Sequence, residues 1–184
     1  IINVNNLNET PEIITFINKI GIDLFIQLVK THKGSIYLQN ILSNKKLTKK
    51  ETNFITNAIG MKFNDIICDY YGNYYFQKFI VLCNDEDRIN IYKYIKDNYI
   101  KIATNISGNY SLQSLISLLT TKEEKELIKE STIGHLKLLC FDENGSNIIR
   151  IIISTIKESE RNYINDFIIN NFTELSINNF GSNT

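Results

Sequence analysis

Proline occurs once, at Pro11, and glycine only eight times in 184 residues. The chain therefore has few of the residues that break helices or make the tight turns of an all-β fold. Cysteine is scarce as well. Cys68, Cys83 and Cys140 are odd in number and lack C-x-x-C spacing, which signals neither a disulfide framework nor a zinc site. They read as reduced core residues of an intracellular protein. An excess of charge of one sign is missing too, since 20 Lys and Arg balance 20 Asp and Glu. Sequence-independent grip on nucleic acid comes mostly from counterion release by Lys and Arg, so any nucleic-acid binding here has to rest on specific contacts. No apolar stretch approaches the roughly 18 to 20 residues of a membrane helix, and the start has neither a basic n-region nor an apolar h-region. The expectation is a soluble chain with no membrane partner.

What is present is enough for a sizeable core: 43% of residues are hydrophobic and 22% charged, the profile of one ordinary domain. Apolar residues recur at steps of three and four, as in Ile13, Ile14, Ile17, Ile20 and again Phe54, Ile55, Ala58, Ile59. That spacing predicts helices about 10 residues long and an all-α fold.

Five of the eight glycines fall at a regular interval: Gly34, Gly72, Gly108, Gly145 and Gly181, with steps of 38, 36, 37 and 36 residues. A small polar residue follows each, and Gln or Arg stands fifth in the four complete units: Ser35/Gln39, Asn73/Gln77, Asn109/Gln113 and Ser146/Arg150. Apolar positions keep step, with Leu38, Ile41 and Leu42 matching Phe76, Phe79 and Ile80, then Leu112, Leu115 and Ile116, then Ile149, Ile152 and Ile153. A single Gly-Ser or Gly-Asn is a helix start with a capping side chain. Four matched units are an internal repeat. Each period has room for three short helices; in the second unit these are expected over 61–70, 73–83 and 85–96, and in the first over 22–31, 35–42 and 48–59. The boundaries read as a leading cap helix within 1–20, then repeats over 21–60, 61–97, 98–131 and 132–170, with a fifth beginning at 171–184. Stacked units bury each other's apolar faces and make a solenoid. The start without Met and the stop in mid-motif suggest a piece of a longer domain.

In each second helix, the first and fifth motif positions lie one turn apart on one face, and the second position lies on the flank. The result is one polar rung per repeat, which suits a ligand that also repeats.

These motifs, from about Ile22 onward, resemble the Pumilio or PUF family of RNA-binding repeat proteins. The stretch from Asp69 to Phe79, with Gly72-Asn73-Tyr74-Tyr75-Phe76-Gln77 at its centre, is especially similar to the family's second-helix signature. The resemblance implies a right-handed α-α superhelix of three-helix repeats whose concave face reads single-stranded RNA, one base per repeat. A Gln amide such as Gln77 or Gln113 can accept from uracil N3–H and donate to O4, with Asn73 and Asn109 donating to O2. The donor-only guanidinium of Arg150 suits cytosine better. Gln39 with the short Ser35 is the family's usual pairing for adenine. Tyr74 and Tyr110 offer stacking faces at the second position; Ile36 and Asn147 are poorer platforms. Ser182 and Asn183 begin a fifth reading motif. Antiparallel binding implies a 5′-CUUA-3′ core.

Other features have plainer readings. His32 and His135 are isolated and lack metal-ligand spacing. Asp65, Asp69, Asp85, Glu86 and Asp87 read as caps and solvated faces, and residues 122–129 as a surface helix with ion pairs. No nucleophile–base set, phosphate loop or cofactor fingerprint is visible, so no catalysis and no cofactor are expected. The implied role is post-transcriptional control of messenger RNA by a cytoplasmic monomer, with effector proteins on the convex face. Two alternatives stand: a divergent nucleolar relative holding ribosomal RNA precursors, and a protein-binding scaffold of the HEAT or armadillo kind.

Overall fold

The structure is a computed structural model that describes residues 13–43 and 46–181. The chain divides into two compact units, Ile1–Tyr94 and Ile95–Thr184. No strand occurs among the described residues.

The first unit begins with α1 (Ile13–Ile20), which ends at Gly21, and continues with α2 (Ile22–Val29), α3 (His32–Ser43) and α4 (Lys49–Ile59). Gly21 sits at φ 84°, a left-handed turn that any side chain would strain. A 3₁₀ turn at Gly60–Lys62 runs into α5 (Phe63–Ile67), followed by α6 (Gly72–Val81) and α7 (Asp85–Ile95). The second unit repeats the plan. A 3₁₀ turn at Lys96–Asn98 leads to α8 (Tyr99–Ala103), α9 (Gly108–Ser117) and α10 (Lys122–Ile133). Then come α11 (Leu136–Phe141), α12 (Glu143–Thr155), a 3₁₀ turn at Glu158–Glu160, α13 (Asn162–Asn170) and α14 (Phe172–Ile177). The helices α6, α9 and α12, each with its glycine in the first turn, follow a short helix.

Each period's apolar stripe is buried. Leu38 and Leu42 of α3, Phe76, Phe79 and Ile80 of α6, Leu112, Leu115 and Ile116 of α9, and Ile149 and Ile152 of α12 are almost fully covered. Side chains of this kind contribute about 1.5–3 kcal/mol each when removed from water. The first unit's core is aromatic: Phe63 packs edge-on against Phe76 at 5.5 Å, and Tyr75 stands edge-on to Phe25 at 5.7 Å.

The third helices α4, α7 and α10 begin with reciprocal caps. In α4 the Thr48 side chain accepts from Glu51 N while the Glu51 carboxylate accepts from Thr48 N, and Thr121 with Glu124 does the same in α10. In α7 Asn84 Oδ1 accepts from Asp87 N at 2.8 Å, and the Asp87 carboxylate accepts from Asn84 N. Glu124 corrects the surface-helix reading of 122–129, because it is 3% exposed and spent on the cap. Lys129 does pair with Glu126 on the surface, and Lys125 reaches Glu160.

The regular glycines have a steric cause. A Cβ at Gly34, Gly72, Gly145 or Gly181 would meet the carbonyl oxygen six residues earlier, at 2.2, 2.5, 2.8 and 3.0 Å respectively. The glycine-led helix starts directly against the last turn of the helix before it, and only a residue without a side chain fits. The same crowding shortens that preceding helix. The stretch expected over 61–70 is α-helical only over Phe63–Ile67, because Asp69 turns the chain.

Candidate nucleic-acid interface

A repeated side-chain cap positions every rung. Three residues before each glycine stands a short polar side chain that accepts from the glycine N–H: Thr31 at 3.1 Å, Asp69 at 2.8 Å, Asn105 at 2.8 Å, Asp142 at 2.7 Å and Asn178 at 2.8 Å. All but Thr31 also accept from the N–H before the glycine. The pattern Thr, Asp, Asn, Asp, Asn is present in the sequence at the same interval as the glycines, but the motif reading started at the glycine and missed it. Asp69, read from the sequence as a cap or solvated charge, and Asp142 are both helix-capping acceptors.

Within the first unit, Gln39 Nε2 donates to Ser35 Oγ at 3.0 Å and Gln77 Nε2 to Asn73 Oδ1 at 2.9 Å. Within the second, Gln113 Nε2 donates to Asn109 Oδ1 at 2.6 Å. The first-position residues are buried, with Ser35, Asn73, Asn109 and Ser146 at most 4% exposed, while the glutamines are half-buried. The structure thereby corrects the reading in which asparagines donate to a base. Asn73 Nδ2 donates to Asp69 O at 3.0 Å and Tyr70 O at 2.8 Å, and Asn109 Nδ2 to Asn105 O at 3.1 Å and Ile106 O at 2.9 Å. A carboxamide has two N–H donors. In Asn73 both point back into the preceding turn; in Asn109 one is shared between that turn and Asn144 Oδ1, 3.2 Å from Nδ2, and in each the asparagine's oxygen aims the glutamine.

The fourth rung departs further. Ser146 Oγ donates to Glu143 O at 3.0 Å, and the exposed Arg150 donates to Asn147 Oδ1. The expected Ser146/Arg150 pair is replaced by an Asn147/Arg150 pair. Ser182 and Asn183 lie outside the described residues.

The second-position side chains point outward. Ile36 is 46% exposed, Tyr74 53% and Tyr110 57%, so the two tyrosines present open faces. In the first unit a cleft of about 340 Å³ is lined by Ser35, Ile36, Gln39 and Tyr74 together with His32, Tyr70 and Tyr71. The last three form a wall, His32 and Tyr71 rings 5.4 Å apart and Tyr70 edge-on to Tyr71 at 4.9 Å. Their sequence signal is the pair of residues before Gly72, which packs against α3 of the preceding repeat.

Such a cleft, with amides on its floor and aromatic faces at the side, has the chemistry to suit flat, edge-polar groups. Among the described residues, no group of three or more His, Cys, Asp or Glu could hold a metal ion, and no helix is long and apolar enough to cross a membrane. Burial pushes the Cys83 thiol well above its ordinary range, with Asp87 adding to the effect and Arg88 opposing it, and its Sγ–H donates to Phe79 O at 3.4 Å. It packs as a core residue.

Residues 62–95 and 98–131 match the family model of the Pumilio-family RNA binding repeat. The chain carries Pumilio-family repeats. It is 31% identical over 143 residues to Pumilio homolog 11 of Arabidopsis thaliana, and 25% identical over 147 residues to a Pumilio domain-containing protein of Schizosaccharomyces pombe. Those alignments cover 71% and 80% of this chain but 26% and 18% of the relatives, so the chain spans about a quarter or less of their length. Among solved Pumilio-type structures, the yeast Puf5p RNA-binding domain bound to AAT2 RNA superposes with a TM-score of 0.76 at 26% identity, over 85% of this chain and 45% of that one. The Puf4 RNA-binding domain bound to the HO endonuclease RNA 3′ UTR recognition sequence superposes with 0.75 at 25% identity, over 84% and 47%. The Pumilio fold is thus an all-α repeat solenoid here as in those structures.

Proposed function

We propose that this chain binds single-stranded RNA sequence-specifically, one base per repeat, and takes part in post-transcriptional control of messenger RNA. The observation that carries the reading is the recurrence of an amide aimed by a buried partner, beside an outward second-position side chain, at a fixed place in successive repeats. The RNA-bound state of the similar Puf4 and Puf5p domains supports it.

Each glutamine supplies a donor and an acceptor to a base edge, which matches uracil for Gln77 and Gln113 and adenine for Gln39. Arg150 offers donors alone, which matches cytosine O2 and N3. Tyr74 and Tyr110 add stacking of about 1–3 kcal/mol per base. Reading antiparallel, the site is 5′-CUUA-3′. No residue set for catalysis enters this reading. The proposal extends to a monomer in the cytoplasm that recruits effector proteins through surfaces away from the rungs.

A single substitution tests the code. Gln77→Glu replaces the donor-acceptor amide with an acceptor-only carboxylate, which suits the N1–H and N2–H₂ donors of guanine. The variant is expected to prefer CUGA over CUUA, while wild type prefers CUUA. Unchanged preference in the variant contradicts one-base reading by this rung.

A further inference from the structure

In both units, the residue just before a repeat's glycine touches the first-position residue of the repeat before it. In the first unit the contact is to backbone: Ser35 Oγ donates to Tyr71 O at 2.8 Å. In the second it is to a side chain: Asn109 Nδ2, which also donates to Asn105 O and Ile106 O, shares a hydrogen with Asn144 Oδ1 at 3.2 Å. Asn144 is itself held, because its Nδ2 donates to Thr104 O at 3.2 Å, at the end of α8. Its two ends are thereby assigned, acceptor toward Asn109 and donor toward Thr104, and turning the amide over would break both bonds. Asn109 in turn receives Gln113 Nε2 on its oxygen at 2.6 Å.

We infer that Asn144 is a positioning residue for the third rung: it holds the Asn109 carboxamide in the orientation that aims Gln113, and so sets base discrimination at one letter from the following repeat. The inference rests on the RNA-reading function proposed above. It also explains a difference between the units. Tyr71 tethers Ser35 through a carbonyl that every residue has, so its side chain is free to vary and lines the cleft. Asn144 tethers through its side chain, so that residue type matters.

The test uses the whole chain with RNAs containing CUUA, CGUA and CUGA. The ratio for the first U, read by Gln113, reports the third rung; the ratio for the second U, read by Gln77, is the control. Asn144→Ala is expected to lower the first ratio about fivefold, the scale of one neutral hydrogen bond, and to leave the second unchanged. Asn144→Asp keeps an acceptor toward Asn109 and is expected to retain the first ratio even where the added charge weakens all RNAs alike. An unchanged first ratio in Asn144→Ala, or an equal fall at both letters, overturns the inference. Exchange of the Asn109 side-chain amide protons, read by NMR without RNA, reports the tether separately. Faster exchange in Asn144→Ala supports it and unchanged exchange refutes it. Wild type that ignores both letters refutes the RNA reading and with it the role of Asn144, whatever the exchange shows.

Discussion

Replacing Gly72 by alanine should destabilise the chain although alanine is the better helix former. The added Cβ would stand 2.5 Å from Ile66 O, 3.2 Å from Ile66 C and 3.1 Å from the Asp69 Cβ, where ordinary contact begins at 3.4 Å. Two of these neighbours are backbone, so α5 and α6 must separate by roughly 1 Å. That movement pulls on Asp69 N–H to Ile66 O at 3.2 Å and on the Asp69 cap of Gly72 at 2.8 Å. Overpacking of this kind costs about 1–3 kcal/mol. The propensity gain for Gly to Ala, about 1 kcal/mol in a helix interior, is smaller at the first position of a helix. A net loss of about 1–2 kcal/mol lowers Tm by roughly 2–8 °C for a chain of this size. The assay is urea denaturation, where the midpoint falls and the slope m does not change. Gly134→Ala is the paired control: that glycine is at φ −75° with nothing within 4 Å of the added Cβ. It should be neutral or stabilising by about 0.4–1 kcal/mol. If Gly72→Ala is as stable as Gly134→Ala, close approach is not why the glycines recur.

Asp69→Ala removes the acceptor for Tyr71 N and Gly72 N and should cost about 1 kcal/mol by thermal unfolding, whereas Asp69→Asn, the type at position 105, should retain most of the stability. No loss in Asp69→Ala would contradict the capping role. Stability should also fall in alkali. Burial raises the Cys83 thiol above its ordinary 9.0 and the Tyr75 phenol above 10.0, and Tyr163 is pushed up to about 12, chiefly by burial. Below pH 9 the thiol is protonated in both states and its contribution is whole. Above it the unfolded chain ionises first, so stability declines toward the folded value by at most about 1.4 kcal/mol per pH unit per group. Cys83→Ala should delay the onset of that decline from about pH 9 to about pH 10, where the tyrosines begin. An onset that stays at pH 9 would assign it elsewhere.

The period was readable because one steric fact, glycine against a carbonyl six residues back, leaves the same residue at the same interval, and because the buried stripe keeps helical spacing behind it. Outward second positions were readable for the same reason: they are one residue round from a buried one. What Asn73 and Asn109 do with their amides was not, since two carbonyls of the preceding turn come within reach only once Asp69 and Asn105 bend the chain. Arg150 was paired with Ser146 by register, yet a serine hydroxyl is short and bonds to Glu143 O, leaving the longer Asn147 to meet the guanidinium. Glu124 looked like one charge among several on a polar helix, and its burial follows from the cap with Thr121. The repeated cap itself was legible in Thr31, Asp69, Asn105, Asp142 and Asn178. The aromatic wall of His32, Tyr70 and Tyr71 was not, because it joins residues about 40 positions apart.

The most direct measurement is binding of the purified chain to fluorescent RNAs containing CUUA or CGGA at two salt concentrations. One-base-per-repeat reading predicts that CUUA wins by about tenfold or more, since two mismatched bases at about 1–3 kcal/mol each exceed the roughly 1.4 kcal/mol that a factor of ten needs. The advantage should vanish in the triple variant Asn73→Ala, Gln77→Ala, Gln113→Ala. The salt dependence should be shallow, about −0.7 in log K for each phosphate neutralised. Equal binding of both RNAs with a steep salt slope, or binding of neither, would contradict the reading of bases by these rungs.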